Sequence, residues 1–117
     1  MNICITGGAG FIGSNSVDYF LNKGHRVTVI DNLLSGFKHN IEPHLDNKNF
    51  CFYETDIRDR NTLAAIFKKH EFDTCIHFAA LISVAESTAN PILTEDINVT
   101  GMLNLLELAS ETKIKTF

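Results

Sequence analysis

The stretch TGGAGFIGS, residues 6 to 14, does most to limit what this chain can fold into. Gly8, Gly10 and Gly13 spell GxGxxG between an apolar run, NICIT, and a segment whose Phe11, Ile12, Val17, Phe20 and Leu21 fall at helical spacing. A glycine triplet alone also serves ordinary turns. Between a buried strand and a helix, each glycine has a mechanical reason. The first permits a tight turn, the second lets a pyrophosphate come close to the backbone, and the third lets helix and strand pack closely. The phosphates would meet unpaired N–H groups and the positive end of the helix dipole. Asp31 lies eighteen residues past Gly13, at the end of a second apolar run, RVTVID. Its carboxylate can accept hydrogen bonds from ribose hydroxyls and repels a 2′-phosphate, which favours NAD over NADP.

The rest of the chain repeats the alternation of strand and helix. FCFYE predicts a third strand after a polar connection punctuated by Gly36 and Pro43, and Asp59 is placed to cap a helix with Leu63, Ala64, Ile66 and Phe67 on one face. DTCIHFAA predicts a fourth buried strand. Asn90 and Pro91 then read as the cap and first residue of a helix running to Ser110, and KIKTF as a fifth strand only begun. Such alternation predicts a doubly wound α/β domain with a parallel sheet. Residues 1 to 117 read as one incomplete dinucleotide-binding domain of Rossmann type, cut at the start of its fifth strand.

Composition narrows the partners. With 44% hydrophobic and 21% charged residues the chain is globular, and at net charge −4, without a cluster of Lys or Arg, it offers nucleic acid no electrostatic footprint. The apolar runs are too short to span a membrane, and the N-terminus has no basic leader, so a cytoplasmic protein is expected. Cys4, Cys51 and Cys75 lack CxxC spacing and read as buried structural thiols. His25, His39, His44, His70 and His77 have no ligand-spaced partners, so no metal site is expected.

Five stretches together resemble the extended short-chain dehydrogenase/reductase family and, within it, the nucleotide-sugar epimerases. They are TGGAGFIGS at 6 to 14, DNLLSG at 31 to 36, DIRD at 56 to 59, HFAA at 77 to 80 and NVTGMLNLLELA at 98 to 109. The resemblance implies that Gly7, Gly8, Gly10 and Gly13 shape the pyrophosphate loop while Phe11 and Ile12 offer it backbone N–H groups. It places Asp31, Asn32, Ser35 and Gly36 around the adenosine ribose, and Asp56 with Ile57 at the adenine, whose exocyclic amine is a donor. Phe78, Ala79 and Ala80 would line the nicotinamide side, and Asn98 would help hold the cofactor and the central strands. DNLLSG is nearer to the epimerases and uronate decarboxylases than to the 4,6-dehydratases, although Ile82 stands where many galactose epimerases have Lys.

Tyr19 and Lys23 spell YxxxK, the spacing of the family's catalytic pair. In the family that pair follows the fifth strand, whereas Tyr19 lies two turns along the first helix, moving away from the ligand end of the sheet. Tyr19 therefore reads as a partly buried aromatic and Lys23 as a lysine complementing the dipole in the last turn. No catalytic residue is assigned, and the catalytic Tyr and Lys with the nucleotide-sugar domain are expected to be absent from these residues. The reading is the NAD-binding portion of a nucleotide-sugar epimerase, inactive alone. A non-catalytic NAD-binding module, a gene remnant, or the same portion of a dehydratase or decarboxylase are the alternatives. The helix from Pro91 to Ser110 is apolar on much of its circumference, which together with the resemblance suggests a homodimer formed there.

Overall fold

A computed structural model describes all 117 residues. Four strands, β1 (Asn2–Thr6), β2 (Arg26–Asp31), β3 (Phe50–Glu54) and β4 (Thr74–His77), form one parallel sheet in the order β3-β2-β1-β4. Parallel strands covered on both faces need apolar side chains at successive positions. In β1 all five residues are buried. Strand parity divides them: Ile3 and Ile5 join Val27, Val29 and Val17 under α1 (Phe11–Asn22), while Cys4 points to the opposite core with Ile30, Leu63, Phe67, Leu105 and Leu108. That second core lies beneath α2 (Arg60–His70) and α5 (Gly101–Glu111).

Local signals set most element ends. Asp59 caps α2 by accepting from the Thr62 N–H at 3.1 Å. α1 ends at Asn22, so Lys23 is the residue after its last turn, and Gly24 follows at φ +80°. Between β2 and β3 the chain forms two single 3-10 turns, pinned by the buried Ile41 and by a His44–Asp18 contact of 2.5 Å onto α1.

Several expectations change. The fourth strand stops at His77, because the following residues turn into the cleft described below. A short helix, α3 (Val84–Ala89), capped by Ser83, lies between the fourth strand and Pro91, where no element is expected from the sequence. Asn90 makes no side-chain cap bond; its carbonyl accepts from Thr94 instead. The long helix keeps one direction but changes register: α4 (Pro91–Glu95), a π turn (Asp96–Thr100), then α5. Cys4 and Cys75 are buried side by side in register, whereas Cys51 on the edge strand is half-buried. At the C-terminus Thr116 bridges Thr74 in parallel, and its carbonyl accepts the Cys75 N–H at 2.9 Å. No helix is long and apolar enough to cross a membrane.

Candidate functional site

The direction of the sheet's connections reverses at β1, which has β2 on one side and β4 on the other. In open α/β sheets the loops leaving such strands part and open a crevice. Here the crevice is a cleft of about 400 Å³, within the usual range for small-molecule sites, and both the loop after β1 and the loop after β4 line it.

Backbone chemistry dominates its floor. Gly10 is the N-cap of α1 and no side chain caps the helix, so the N–H groups of Phe11, Ile12 and Gly13 have no acceptor in the protein. Three free amides at the start of a 12-residue helix offer hydrogen-bond donors suited to an anion. No Lys or Arg lines the cleft, so these amides are its source of positive potential. A side chain at Gly10 would meet little but the Gly7 carbonyl at 3.3 Å, so absence of a Cβ there leaves room for a ligand. The glycines divide their work differently from expectation. Gly7, outside the triplet, takes the left-handed conformation at φ +70°, with Ala79 N only 2.6 Å from where its Cβ would stand. Gly8 packs against Val29 and does not line the cleft.

Asp31 shares the parity of Val27 and Val29, which carries its side chain to the glycine-loop side of the sheet. There Oδ2 accepts the Ala9 N–H at 2.9 Å and Oδ1 the Leu33 N–H at 2.8 Å. Each oxygen keeps one more acceptor position for a ligand hydroxyl. Asn32, Ser35 and Gly36 follow on the same wall, and Gly36 packs tightly on Ala9, whose atoms lie 3.0 Å from its would-be Cβ, so a larger residue would require Ala9 to give by a few tenths of an ångström.

At the far end of that wall Asp56 is held by Arg58, whose Nη2 donates to Oδ2 at 2.8 Å and Nε to Oδ1 at 3.0 Å. The side-chain hydrogen bonds from Arg58 lower the Asp56 pKa to about 2, against the opposing effect of burial. Because the folded value lies below the ordinary carboxylate value, this pairing is complete above that range and is lost as pH falls towards about 2. Nothing in the pattern DIRD announces the pairing.

The opposite wall is Phe78, Ala79 and Ala80, continued by Leu81 and Ile82. Thr6 and His77, register partners on β1 and β4, anchor its root: their side chains lie 2.6 Å apart and the Ala79 N–H donates to Thr6 Oγ1 at 3.3 Å. Burial lowers the His77 pKa, so the ring is neutral near pH 7 and packs as expected. Asn98 does not line the cleft. From the π turn its Oδ1 accepts the Leu81 N–H at 2.7 Å while its Nδ2 donates to the Leu81 carbonyl at 3.0 Å, so it holds the wall from behind.

Of the sixteen residues singled out in the sequence, the structure brings all but Gly8 and Asn98 to one cleft. Ile30, Leu34, Thr55, Leu81, Ile82 and Ile97 also line it. Leu34 lies inside DNLLSG and Leu81 and Ile82 directly follow HFAA, so taking the first stretch whole and extending the second by two residues would have found them. Tyr19 is not partly buried but 58% exposed, on the outer face of α1, with the Lys23 ammonium 5.7 Å above its ring. Neither lines the cleft. No group of three or more His, Cys, Asp or Glu residues is placed to hold a metal ion.

Comparison with known proteins bears out the resemblance read from the sequence. The GDP-mannose 4,6 dehydratase family matches residues 4–117. A UDP-glucose 4-epimerase of Neisseria meningitidis serogroup A is 46% identical over 109 residues, covering 91% of this chain and 32% of that protein. The Thermotoga maritima UDP-glucose 4-epimerase solved with UDP-glucose superposes with a TM-score of 0.91 at 42% identity, over 98% of this chain and 36% of that one. The Thermus thermophilus UDP-glucose 4-epimerase solved with NAD gives 0.88 at 36% identity, over 97% and 35% respectively. The chain thus spans about a third of the length of these proteins.

Proposed function

The chain belongs to the GDP-mannose 4,6 dehydratase family, and from that premise we propose that residues 1 to 117 are the NAD-binding part of a nucleotide-sugar epimerase. The observation that carries the proposal is the set of three acceptor-free amides at the start of α1, across one cleft from the buried Asp31 carboxylate. That spacing of an anion site and a ribose acceptor suits a dinucleotide. Bound NAD supplies a reversible hydride acceptor to an epimerase. The protein's part is to hold the pyrophosphate at Phe11, Ile12 and Gly13, the ribose at Asp31, and to keep the Ala79–Ala80 wall close and apolar.

The proton-transferring Tyr and Lys of the complete enzyme, and its nucleotide-sugar contacts, lie outside these residues in this reading. Support comes from the position of Tyr19 and Lys23 away from the cleft. The complete enzyme is proposed to be a cytoplasmic protein of carbohydrate metabolism. It is also proposed to be a homodimer through the region 91–110, because Ile92, Val99 and Leu103 on that helix are 82%, 49% and 54% exposed. Light scattering of the complete protein should give twice the monomer mass; a monomer removes that element.

Calorimetric titration tests the site itself. The folded chain should release heat with NAD and bind NADP at least about tenfold more weakly, since a 2′-phosphate would be set against Asp31. No nucleotide-sugar turnover is expected. Equal affinity for the two dinucleotides, or no heat from a folded chain, rejects the proposal, and turnover would restore a catalytic role to Tyr19.

A further inference from the structure

Asp56 has an unusual set of partners. Arg58 alone gives it three donors: its own N–H to Oδ1 at 2.8 Å, Nε to Oδ1 at 3.0 Å and Nη2 to Oδ2 at 2.8 Å. The Asn32 amide adds a fourth, to Oδ2, at 3.2 Å. An ionised carboxylate offers about four lone-pair positions, so all are in use. A further donor must displace one of them. The Asn32 bond is the longest of the four and comes from a neutral, exposed side chain, whereas the guanidinium bonds are charge-assisted and form a planar fork. Arg58 therefore leaves one exchangeable acceptor position on the carboxylate, on the Asn32 side.

The same guanidinium reaches further. Its Nη1 donates to Asp96 Oδ2 at 3.1 Å, and Asp96 opens the π turn. Two residues on, Asn98 grips the Leu81 peptide on the opposite wall. Asn104, just beyond that turn, donates to the Ile57 carbonyl at 3.1 Å and so holds the Asp56 loop from the same helix. π turns of this kind are often found beside functional sites, where the extra residue re-aims side chains.

We propose that Arg58 is a positioning residue of this cleft: it orients Asp56 so that a single acceptor position remains for an adenine amine, and through Asp96 it braces that end against the turn that fixes the other wall. It does this without lining the cleft. The inference rests on the cleft being an NAD site. A purely structural ion pair with side chains about a third exposed contributes little to folding, so stability alone is a poor readout.

The test compares NAD with the dinucleotide whose adenine is replaced by hypoxanthine, which exchanges the exocyclic amine for a carbonyl. The wild-type chain should prefer NAD by about tenfold or more, the range of one hydrogen bond to a charged acceptor, and that preference should stay constant between about pH 6 and about pH 4. Arg58→Gln should reduce the preference to about threefold or less. What preference remains should also fall over that pH interval, because an unpaired Asp56 titrates in the ordinary carboxylate range. Arg58→Lys keeps the charge but not the fork, so it should keep the flat pH profile and lose most of the preference. A folded Arg58→Gln with the wild-type preference and pH profile overturns the proposal; if that variant does not fold, an undiminished preference in Arg58→Lys does so. A folded wild-type chain that binds no NAD removes the parent reading and this one together, whereas NAD binding with unchanged preference removes only the role of Arg58.

Discussion

Alanine at position 13 is expected to abolish measurable NAD binding and to lower the melting temperature by about 10 °C. Its Cβ would stand 2.1 Å from the Gly7 carbonyl oxygen and 2.8 Å from Gly8 Cα, both backbone atoms that no rotamer change can move. Relief requires the first turn of α1 to separate from the loop after β1. Overpacking of this kind costs about 1–3 kcal/mol, which for a domain of this size corresponds to several degrees or more. The same displacement moves the free amides of Phe11 and Ile12, so affinity should fall at least about a hundredfold, or about 2.7 kcal/mol. Gly10→Ala is the informative contrast. Its Cβ meets only the Gly7 carbonyl at 3.3 Å, on a residue that lines the cleft. That variant should melt within about 3 °C of wild type, since only a modest cap penalty is added, and yet lose most of its NAD affinity. Equal effects of the two substitutions on melting and on binding would mean that the glycines serve the turn alone.

Asp31→Ala should be the second most damaging change, through a different cause. Asp31 is 7% exposed and its carboxylate is the acceptor for the N–H of fully buried Ala9. Its other oxygen holds the N–H of Leu33, whose φ of +59° is a left-handed conformation that a leucine adopts only under constraint. Removing the carboxylate leaves a buried donor unpaired and frees the strained residue, for a loss of about 2–4 kcal/mol. Ribose binding goes with it. Asp31→Asn separates the two functions: it retains one acceptor oxygen but turns an NH₂ towards the second amide, so part of the stability loss remains. With the negative charge gone, the preference for NAD over NADP should shrink by about tenfold. Calorimetry with both dinucleotides and thermal melting of both variants check this. An unchanged preference in Asp31→Asn would show that charge at this position does not select the cofactor.

The parts of the site that rest on short-range pattern were legible in the sequence. The β-branched run RVTVID put Asp31 at a strand end, and the order of strand, glycines and helix located the acceptor-free amides. What failed to show was set by long-range contacts or by backbone angles. GlyGly does not say which residue takes φ +70°; that follows from the approach of Ala79, far away in sequence. DINVT has a helical pattern with neither Gly nor Pro, so nothing in it marks the π turn. That turn aims Asn98 at Leu81 and Asp96 at Arg58. Tyr19 illustrates the opposite error, since it reads as a partly buried aromatic although it lies exposed on the outer face of α1. Asn90 is a frequent cap residue, but here it closes α3 as well, and its side chain makes no bond to the helix it precedes.

An amide NMR titration of the folded chain with NAD is the most direct test of a dinucleotide site at the loops after β1 and β4. Saturable shifts are expected at Gly10, Phe11, Ile12, Leu33 and Ala79 to Leu81, with Tyr19, Lys23 and the exposed face of α2 unmoved. Shifts concentrated on the outer groove of α1 around Asn15, Ser16 and Tyr19, or no shifts in a well-dispersed native spectrum, would contradict it.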